Sequence, residues 1–428
     1  MTTALIAIFV LAYLAIAMEE PLRINKAGAG LIGAGLLWTV YALGTGDPAE
    51  IDRELSVSLV STAQIAFFLI GAMAIVEVID SHDGFEVFTA RIRTDSFPAL
   101  VWKLGGATFW LSAVLDNLTA TIVMVSLLSK LASDADDRRW LAALIIISAN
   151  AGGAWSPIGD VTTTMLWIGG QVTTVQIISR LIVPSIVNMV VPLALVMFAF
   201  RARKVTMPQA DDEIAQKPVT TAFERNVMLG LGLAVLLCVP VFKAVTHLPP
   251  FMGVLLGLGI LWVVGDWLHR DKREAVRNRV TIAHALTRID MSAIVFLIGI
   301  LLAVATLEHA GVLGALARWL LATFGRLDVI VLLIGLGSAV IDNVPMVAAA
   351  MGMFDMATYP PDSFVWEFLA YCAGTGGSIL VIGSAAGVAA MGIERIGFMW
   401  YARRIGPLAL AGYFAGAGVY LAQSRLLS

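Results

Sequence analysis

Two acid–amide pairs, Asp116–Asn117 in "SAVLDN" and Asp342–Asn343 in "SAVIDN", stand 226 residues apart, each inside an apolar run. A third carboxylate, Asp160, closes the Gly- and Ser-rich stretch "SANAGGAWSPIGDVTTT" (148–164), and the related stretch "GTGGSILVIGSAAG" (374–387) carries Ser378 and Ser384. A charged carboxyl at the centre of a membrane helix costs roughly 2.5 to 3.5 kcal/mol on insertion scales, so three of them call for a function. With Asn117, Thr119, Asn150, Thr162, Ser338, Asn343, Ser378 and Ser384 they form an oxygen-rich, anionic set, and no Cys or His clusters with them. Such donors suit a hard cation, with Asp116, Asp160 and Asp342 as its charged ligands, and repel dicarboxylates. Carboxylates crowded in an apolar surrounding also hold protons readily. Cation and proton then compete for the same oxygens, and that competition alone gives obligatory exchange. The plainer reading makes Asp116 and Asp342 N-caps of short helices, and the two roles are compatible.

The elements that must carry these residues follow from composition. The chain has 428 residues, 59% hydrophobic and 14% charged, with a mean hydropathy of +0.87, which marks a polytopic membrane protein whose main partner is the lipid bilayer. A net charge of −3 without a dense basic tract excludes nucleic acid as a partner. Cys238 and Cys372 lie in apolar sequence and read as ordinary buried thiols, and no cofactor is called for. The first apolar run, 4–18, lacks a basic flank and a cleavage site and reads as a retained helix.

At roughly 20 residues per crossing, spans are expected near 3–18, 27–44, 62–80, 140–171, 180–200, 227–245, 250–267, 290–309, 364–392 and 403–424. Two more apolar stretches, about 98–130 and 327–354, hold the Asp-Asn pairs in their middle and read as re-entrant hairpins. Irregular backbone at membrane depth is tolerated only where protein or a water-filled cavity surrounds it. Basic residues in 268–289 (Arg270, Lys272, Arg273, Arg277, Arg279, Arg288) and at Arg201, Arg203 and Lys204 assign those segments to the cytoplasm, and the acidic 45–58 and 355–367 to the outside. Threading the spans between these anchors requires both hairpins to return to the side they entered. Arg91, Arg93, Lys103, Lys130, Arg138 and Arg139 then flank the first on the cytoplasmic side, the second opens outward, and both termini come out external.

The offset recurs beyond the opening pair. "FFLIG" (67–71) matches "VFLIG" (295–299), "GGAWSPIGD" (152–160) matches "GGSILVIGS" (376–384), and the amphipathic stretch Phe85–Phe97 matches Val312–Gly325. The expected fold is therefore all-α: a first repeat over 1–200, a cytoplasmic linker over 201–226, and a second repeat over 227–428. Each repeat has five transmembrane helices plus one hairpin, and because five is odd the second enters from the opposite face, an inverted-topology repeat. The Gly-, Ser- and Pro-rich parts of 140–171 and 364–392 predict broken helices at the midplane, since each internal Gly costs about 1 kcal/mol and Pro157 about 3. Close packing on small residues is the alternative, but it does not account for Asp160. Glu77 and Asp80 end one span, and Glu308 and His309 end its partner. Glu77, Asp80, His82 and Glu308 are candidates for an access path or a pH sensor, or plain interfacial charges. Asp290 reads as an N-cap, and His247, His269 and His284 as loop residues.

With those residues in view, the chain resembles the NhaD-type sodium/proton antiporters of the ion transporter superfamily. The resemblance covers nearly its whole length and is carried by "LDNLTATIVM" (115–124), "SANAGGAWSPIGDVTTTMLWIGG" (148–170), "SAVIDNVPMVAAAMGM" (338–353) and "YCAGTGGSILVIGSAAGVAAMG" (371–392). The superfamily's carboxylate carriers place Ser-Asn-Thr at the hairpin tips, whereas here Asp116 and Asp342 take the Ser position, as a switch from anion to cation would require. Val344 and Pro345 replace Leu118 and Thr119 at the second tip, so the two halves of the site need not be equal. The resemblance implies exchange of Na⁺, and also Li⁺, for protons, elevator-like movement of the hairpin-bearing unit, a homodimer, and a multi-pass location in the inner (plasma) membrane. Two other readings stay open at this point. One is an organic-anion or arsenite-type carrier of the same superfamily, which basic residues near the motifs would favour; none is apparent in sequence. The other is an intramembrane aspartyl enzyme, which has no need of a repeat.

Overall fold

The computed structural model describes residues 1–19, 24–85, 92, 94–206, 220–272, 274–278 and 280–427. Among them the regular elements are helices, with a single isolated bridge between Ser96 and Lys204. The first half comprises α1 (Thr2–Ala17), α2 (Lys26–Thr45), α3 (Pro48–Ser81), α4 (Phe97–Ser112), α5 (Asn117–Ser126), α6 (Ala135–Ala154), α7 (Val161–Ile168) and α8 (Thr174–Ala199). The second comprises α9 (Ala222–Thr246), α10 (Pro250–Leu268), α11 (Met291–His309), α12 (Val312–Phe324), α13 (Leu327–Gly337), α14 (Asn343–Met353), α15 (Phe364–Gly376), α16 (Ala385–Glu394), α17 (Phe398–Arg404) and α18 (Gly406–Leu427). Several helices begin where the sequence offers a side-chain cap. Asp47 accepts from Ala49 N and Glu50 N ahead of α3, Ser96 from Ala99 N ahead of α4, and Thr221 and Glu224 form a capping box at α9.

Among the described residues six helices (α2, α3, α8, α9, α10 and α11) are each long and apolar enough to cross a membrane, or up to eight spans if the bent pairs α12–α13 (118°) and α17–α18 (49°) count as one each. The protein is thus a polytopic membrane protein, but with fewer continuous spans than the ten expected. α1 has 16 residues, about 24 Å, and falls short of a hydrocarbon core of roughly 30 Å. The stretches 140–171 and 364–392 are each broken into shorter pieces, at 155–160 and 377–384. The acidic segment 45–58, expected to lie between spans, is largely helical because Asp47 and Pro48 start α3 there, giving it 34 residues. Most of Phe85–Phe97, Arg91, Arg93, Arg273, Arg279 and half of the 201–226 connection (207–219) lie outside the described residues.

The helices fall into two groups that also pack against each other, chiefly through α11 with α14 and α3 with α7. α1, α2, α3, α9, α10 and α11 contact one another and form a framework. α4 with α5 and α13 with α14, two helix-turn-helix units with short tips, pack with the broken helices α6–α7 and α15–α16 and with α8 and α18. The same close contacts recur in each half of this second group. A Cβ on Gly152 would overlap the Phe109 carbonyl, and one on Gly376 would overlap the Gly335 carbonyl. Ser112 Oγ donates to Ala149 O at 2.6 Å, and Ser338 Oγ to Ala373 O at 3.1 Å. Side-chain pairs from distant positions, Arg138–Glu394 at 3.0 Å, Arg288–Glu77 at 2.9 Å and Thr173–Asp362 at 2.9 Å, join segments that the charge pattern assigns to the same side.

Candidate functional site

The breaks in the second group bring four helix N-termini together. Asp116 caps α5, Asp160 caps α7, Asp342 caps α14 and Ser384 caps α16, each accepting a backbone N–H from the first turn. The plainer capping reading of the Asp residues is therefore correct as far as it goes. It does not exhaust their oxygens. Asp160 is 1% exposed. Its Oδ1 takes the Thr162 N–H at 2.9 Å, while Oδ2 accepts from Asn117 Nδ2 at 2.9 Å and Asn343 Nδ2 at 3.4 Å. Both Asp-Asn pairs thus contact the carboxylate between them.

Asn117 Nδ2 also donates to Asn150 Oδ1 at 2.9 Å, and Asn150 Nδ2 passes the connection to Ser378 Oγ at 2.9 Å and Ser384 Oγ at 3.0 Å. One polar network therefore ties the first tip and the two helix breaks, with Asn343 completing it from the second tip. A cavity of about 90 Å³ adjoins it, lined by Lys26, Asp116, Asn117, Asp160, Asp342 and Asn343 among apolar side chains such as Phe68, Leu69 and Leu297. In this conformation the three carboxylates line one cavity without closing into a three-carboxylate shell: among the described residues no group of three His, Cys, Asp or Glu is arranged to hold a metal ion.

The remaining candidates separate. Thr119 donates its N–H and Oγ1 to Asp116, at 2.8 and 2.7 Å. Thr162 is buried beside Asp160 and contributes its backbone N–H. Ser338 points its hydroxyl at the carbonyls of Gly335 and Ala373 and holds α13 against α15 instead of facing the cavity. Glu77 and Asp80 line a second, open cavity of about 1090 Å³, together with Glu19, Asp83, Asp290 and Arg288, and this cavity shares Lys26, Met73, Val76 and Leu118 with the inner one. Carboxylates outnumber basic side chains in its lining, which favours cations over anions there. Asp290 also caps α11, as expected. Glu308 lies elsewhere, at the far end of α11 beside Gly352.

His82 lies in the turn that follows α3. It is fully buried just past the end of α3, with its ring 5.0 Å from His269, which lies as expected in the turn after α10 but is buried. Burial pushes the His82 imidazole down from its ordinary value, to about 4. His284 sits in the short helix Ile282–Arg288, and His247 ends α9 with a left-handed backbone. Cys372 is buried as expected, whereas Cys238 is exposed on α9.

The sequence reading missed Lys26. Its Nζ lies 3.0 Å from Asp342 Oδ2 and 4.8 Å from the Phe296 ring, and it lines both cavities. A lysine opening an apolar helix is ordinarily an interfacial residue with its head in water, and a partner 316 positions away leaves no local signal. The expectation that no basic residue stands near the motifs is corrected by this contact.

A helical membrane protein with acidic half-helix caps around an interior cavity has the make-up of a transporter for small ions or molecules. A family model described as citrate transporter matches residues 13–374. Sodium/proton antiporter 1 of Arabidopsis thaliana is 46% identical over 99% of this chain and 73% of its own length, and sodium/proton antiporter 2 of the same plant is 44% identical over 97% and 98%. The Na(+)/H(+) antiporter NhaD of Alkalimonas amylolytica is 30% identical over 97% and 89%. The chain belongs to the citrate transporter family, and within it to the group that holds these NhaD-type sodium/proton antiporters.

Proposed function

We propose that the protein exchanges Na⁺, and also Li⁺, for H⁺ by alternating access, with cation and proton as alternative occupants of the carboxylate oxygens of Asp116, Asp160 and Asp342. The observation that carries this is the lining of the inner cavity, where three carboxylates and two Asn side chains meet at the end of an acidic vestibule. Helix N-termini by themselves favour anions. Here three of the four termini carry a covalent carboxylate that occupies that position, so the cavity presents oxygen and negative charge to whatever enters. The names of the relatives, all sodium/proton antiporters, point to Na⁺ and H⁺.

The two helix-turn-helix units are re-entrant hairpins in this reading. α5 and α14, at 10 and 11 residues, span only about 15 to 17 Å and cannot cross. The recurring Gly and Ser contacts support an inverted repeat, and the division into two groups supports movement of the hairpin-bearing body along the framework. Assembly as a homodimer in the plasma membrane completes the reading. An organic-anion carrier is the second reading, favoured by the family model's description and by the lysine at the cavity. The pairing of Lys26 with Asp342 argues against it, because that charge is already matched.

Adding NaCl to the purified protein in weakly buffered detergent near pH 8 should release protons, and choline chloride should not. Citrate that displaces Na⁺ or gives the same response would favour the anion reading. A protein silent to Na⁺ and Li⁺ would overturn the exchange reading.

A further inference from the structure

The two hairpin tips are chemically unequal in a way that gives Lys26 a task. At the first tip both Asp116 oxygens are satisfied locally, since Oδ1 takes the Thr119 N–H and Oδ2 the Thr119 hydroxyl. At the equivalent place in the second tip stands Pro345, which has neither an N–H nor a hydroxyl. Asp342 therefore has only the Val344 N–H, at 3.2 Å on Oδ1, from its own helix, and its Oδ2 is left to the Lys26 ammonium. The pair is largely withdrawn from water, with side chains 22% and 13% exposed. Lys26 also stands between vestibule and inner cavity, lining both, and lies over the Phe296 ring.

The contact crosses between the two helix groups, beside the packing of α11 on α14. Lys26 begins α2, which packs on α1 and α11 in the framework, and Asp342 sits at a tip of the hairpin-bearing body. We propose that the Lys26 ammonium is the resident counter-ion of Asp342, which an entering cation must displace, and that its displacement unties the hairpin-bearing body from the framework. Lys26 is a positioning residue, acting on the cargo through Asp342. The pairing holds the unoccupied carboxylate in place and closes the passage between the cavities. A cation that takes Asp342 removes the tie and the obstruction together, which links occupancy to movement. This inference rests on the exchange reading and specifies which half of the site is exchangeable.

The test uses the full-length protein in liposomes, following ²²Na⁺/Na⁺ exchange at one pH on both sides. Lys26→Gln should lower KM for Na⁺ by about tenfold, the competitor being gone, with Vmax changed less than KM, and Lys26→Arg should bring KM back toward wild type. Unchanged KM in Lys26→Gln, with wild-type exchange intact, would overturn the lysine's role while leaving the exchange reading standing. Absence of exchange in the wild type would instead overturn the exchange reading itself. A second measurement needs no variant. Modification of Lys26 in the wild type by a small amine reagent at fixed pH, read by mass spectrometry, should rise several-fold in NaCl over choline chloride. Equal modification in the two salts would contradict displacement.

Discussion

Asp160→Asn should reduce sodium-dependent proton movement to the level of empty liposomes while the protein still inserts and purifies as a folded species. The substitution is close to isosteric, and Asn is as good an N-cap as Asp, so α7 keeps its first turn. What changes is charge and one side of the hydrogen bonding. Asp160 accepts on both oxygens, from Thr162 N–H on one and from Asn117 and Asn343 Nδ2 on the other. An amide in its place presents an NH₂ to one of those donors, a buried mismatch that costs about 1 to 3 kcal/mol. That is a measurable loss of thermal stability but a tolerable one for a membrane protein of this size. The loss of negative charge is more serious, because Asp160 is the carboxylate that both Asp-Asn pairs share. Liposome exchange assays together with melting in detergent separate the two effects. Near wild-type exchange in Asp160→Asn would mean that Asp160 is a structural cap only.

The largest effect on stability is expected at the crossing of α13 and α15. In Gly376→Ala the new methyl would overlap the Gly335 carbonyl and lie 2.7 Å from Ser338 Oγ. Both obstacles are fixed, one by backbone and the other by its bonds to Gly335 O and Ala373 O. Overpacking of this kind costs roughly 1 to 3 kcal/mol, more where backbone must move. The second hairpin would be levered away from the broken helix beside it, so the variant should melt well below wild type and lose exchange. Gly418→Ala supplies the contrast, since nothing lies within 4 Å of the added atom. There the better helix propensity of Ala, worth up to about 1 kcal/mol, should leave melting unchanged or raised. Equal melting temperatures for the two variants would contradict the close crossing.

What was legible in the sequence was the costly chemistry. A carboxylate next to an amide in apolar sequence, repeated at one offset, announces itself, and so does a run of Gly, Ser and Pro where a membrane helix ought to continue. Those signals located both tips, both breaks and Asp160. The less legible parts depend on pairing in space. Lys26 resembled an interfacial lysine until α2 was set against the second tip. His82 and His269, 187 positions apart, shared a buried contact that no periodicity records. Ser338 carried the right atom for a cation ligand, but α15 passes so close that its hydroxyl is taken by two carbonyls. The start of α3 was obscured because Asp47, Glu50, Asp52 and Glu54 outweigh hydropathy there. Yet Asp47 and Pro48 form a helix start, and Glu54 meets Tyr41 within the fold at 3.0 Å.

The most direct test of the account is the collapse of an imposed pH gradient across liposomes holding the protein and a trapped pH dye, with Na⁺, Li⁺, K⁺ and citrate added in turn to wild type and to Asp342→Asn. The account predicts that Na⁺ and Li⁺ dissipate the gradient in the wild type, that K⁺ and citrate do not, and that Asp342→Asn removes the response. A gradient that ignores Na⁺, or one that Asp342→Asn dissipates as fast as wild type, would show that the shared carboxylates are helix caps and not the seat of exchange.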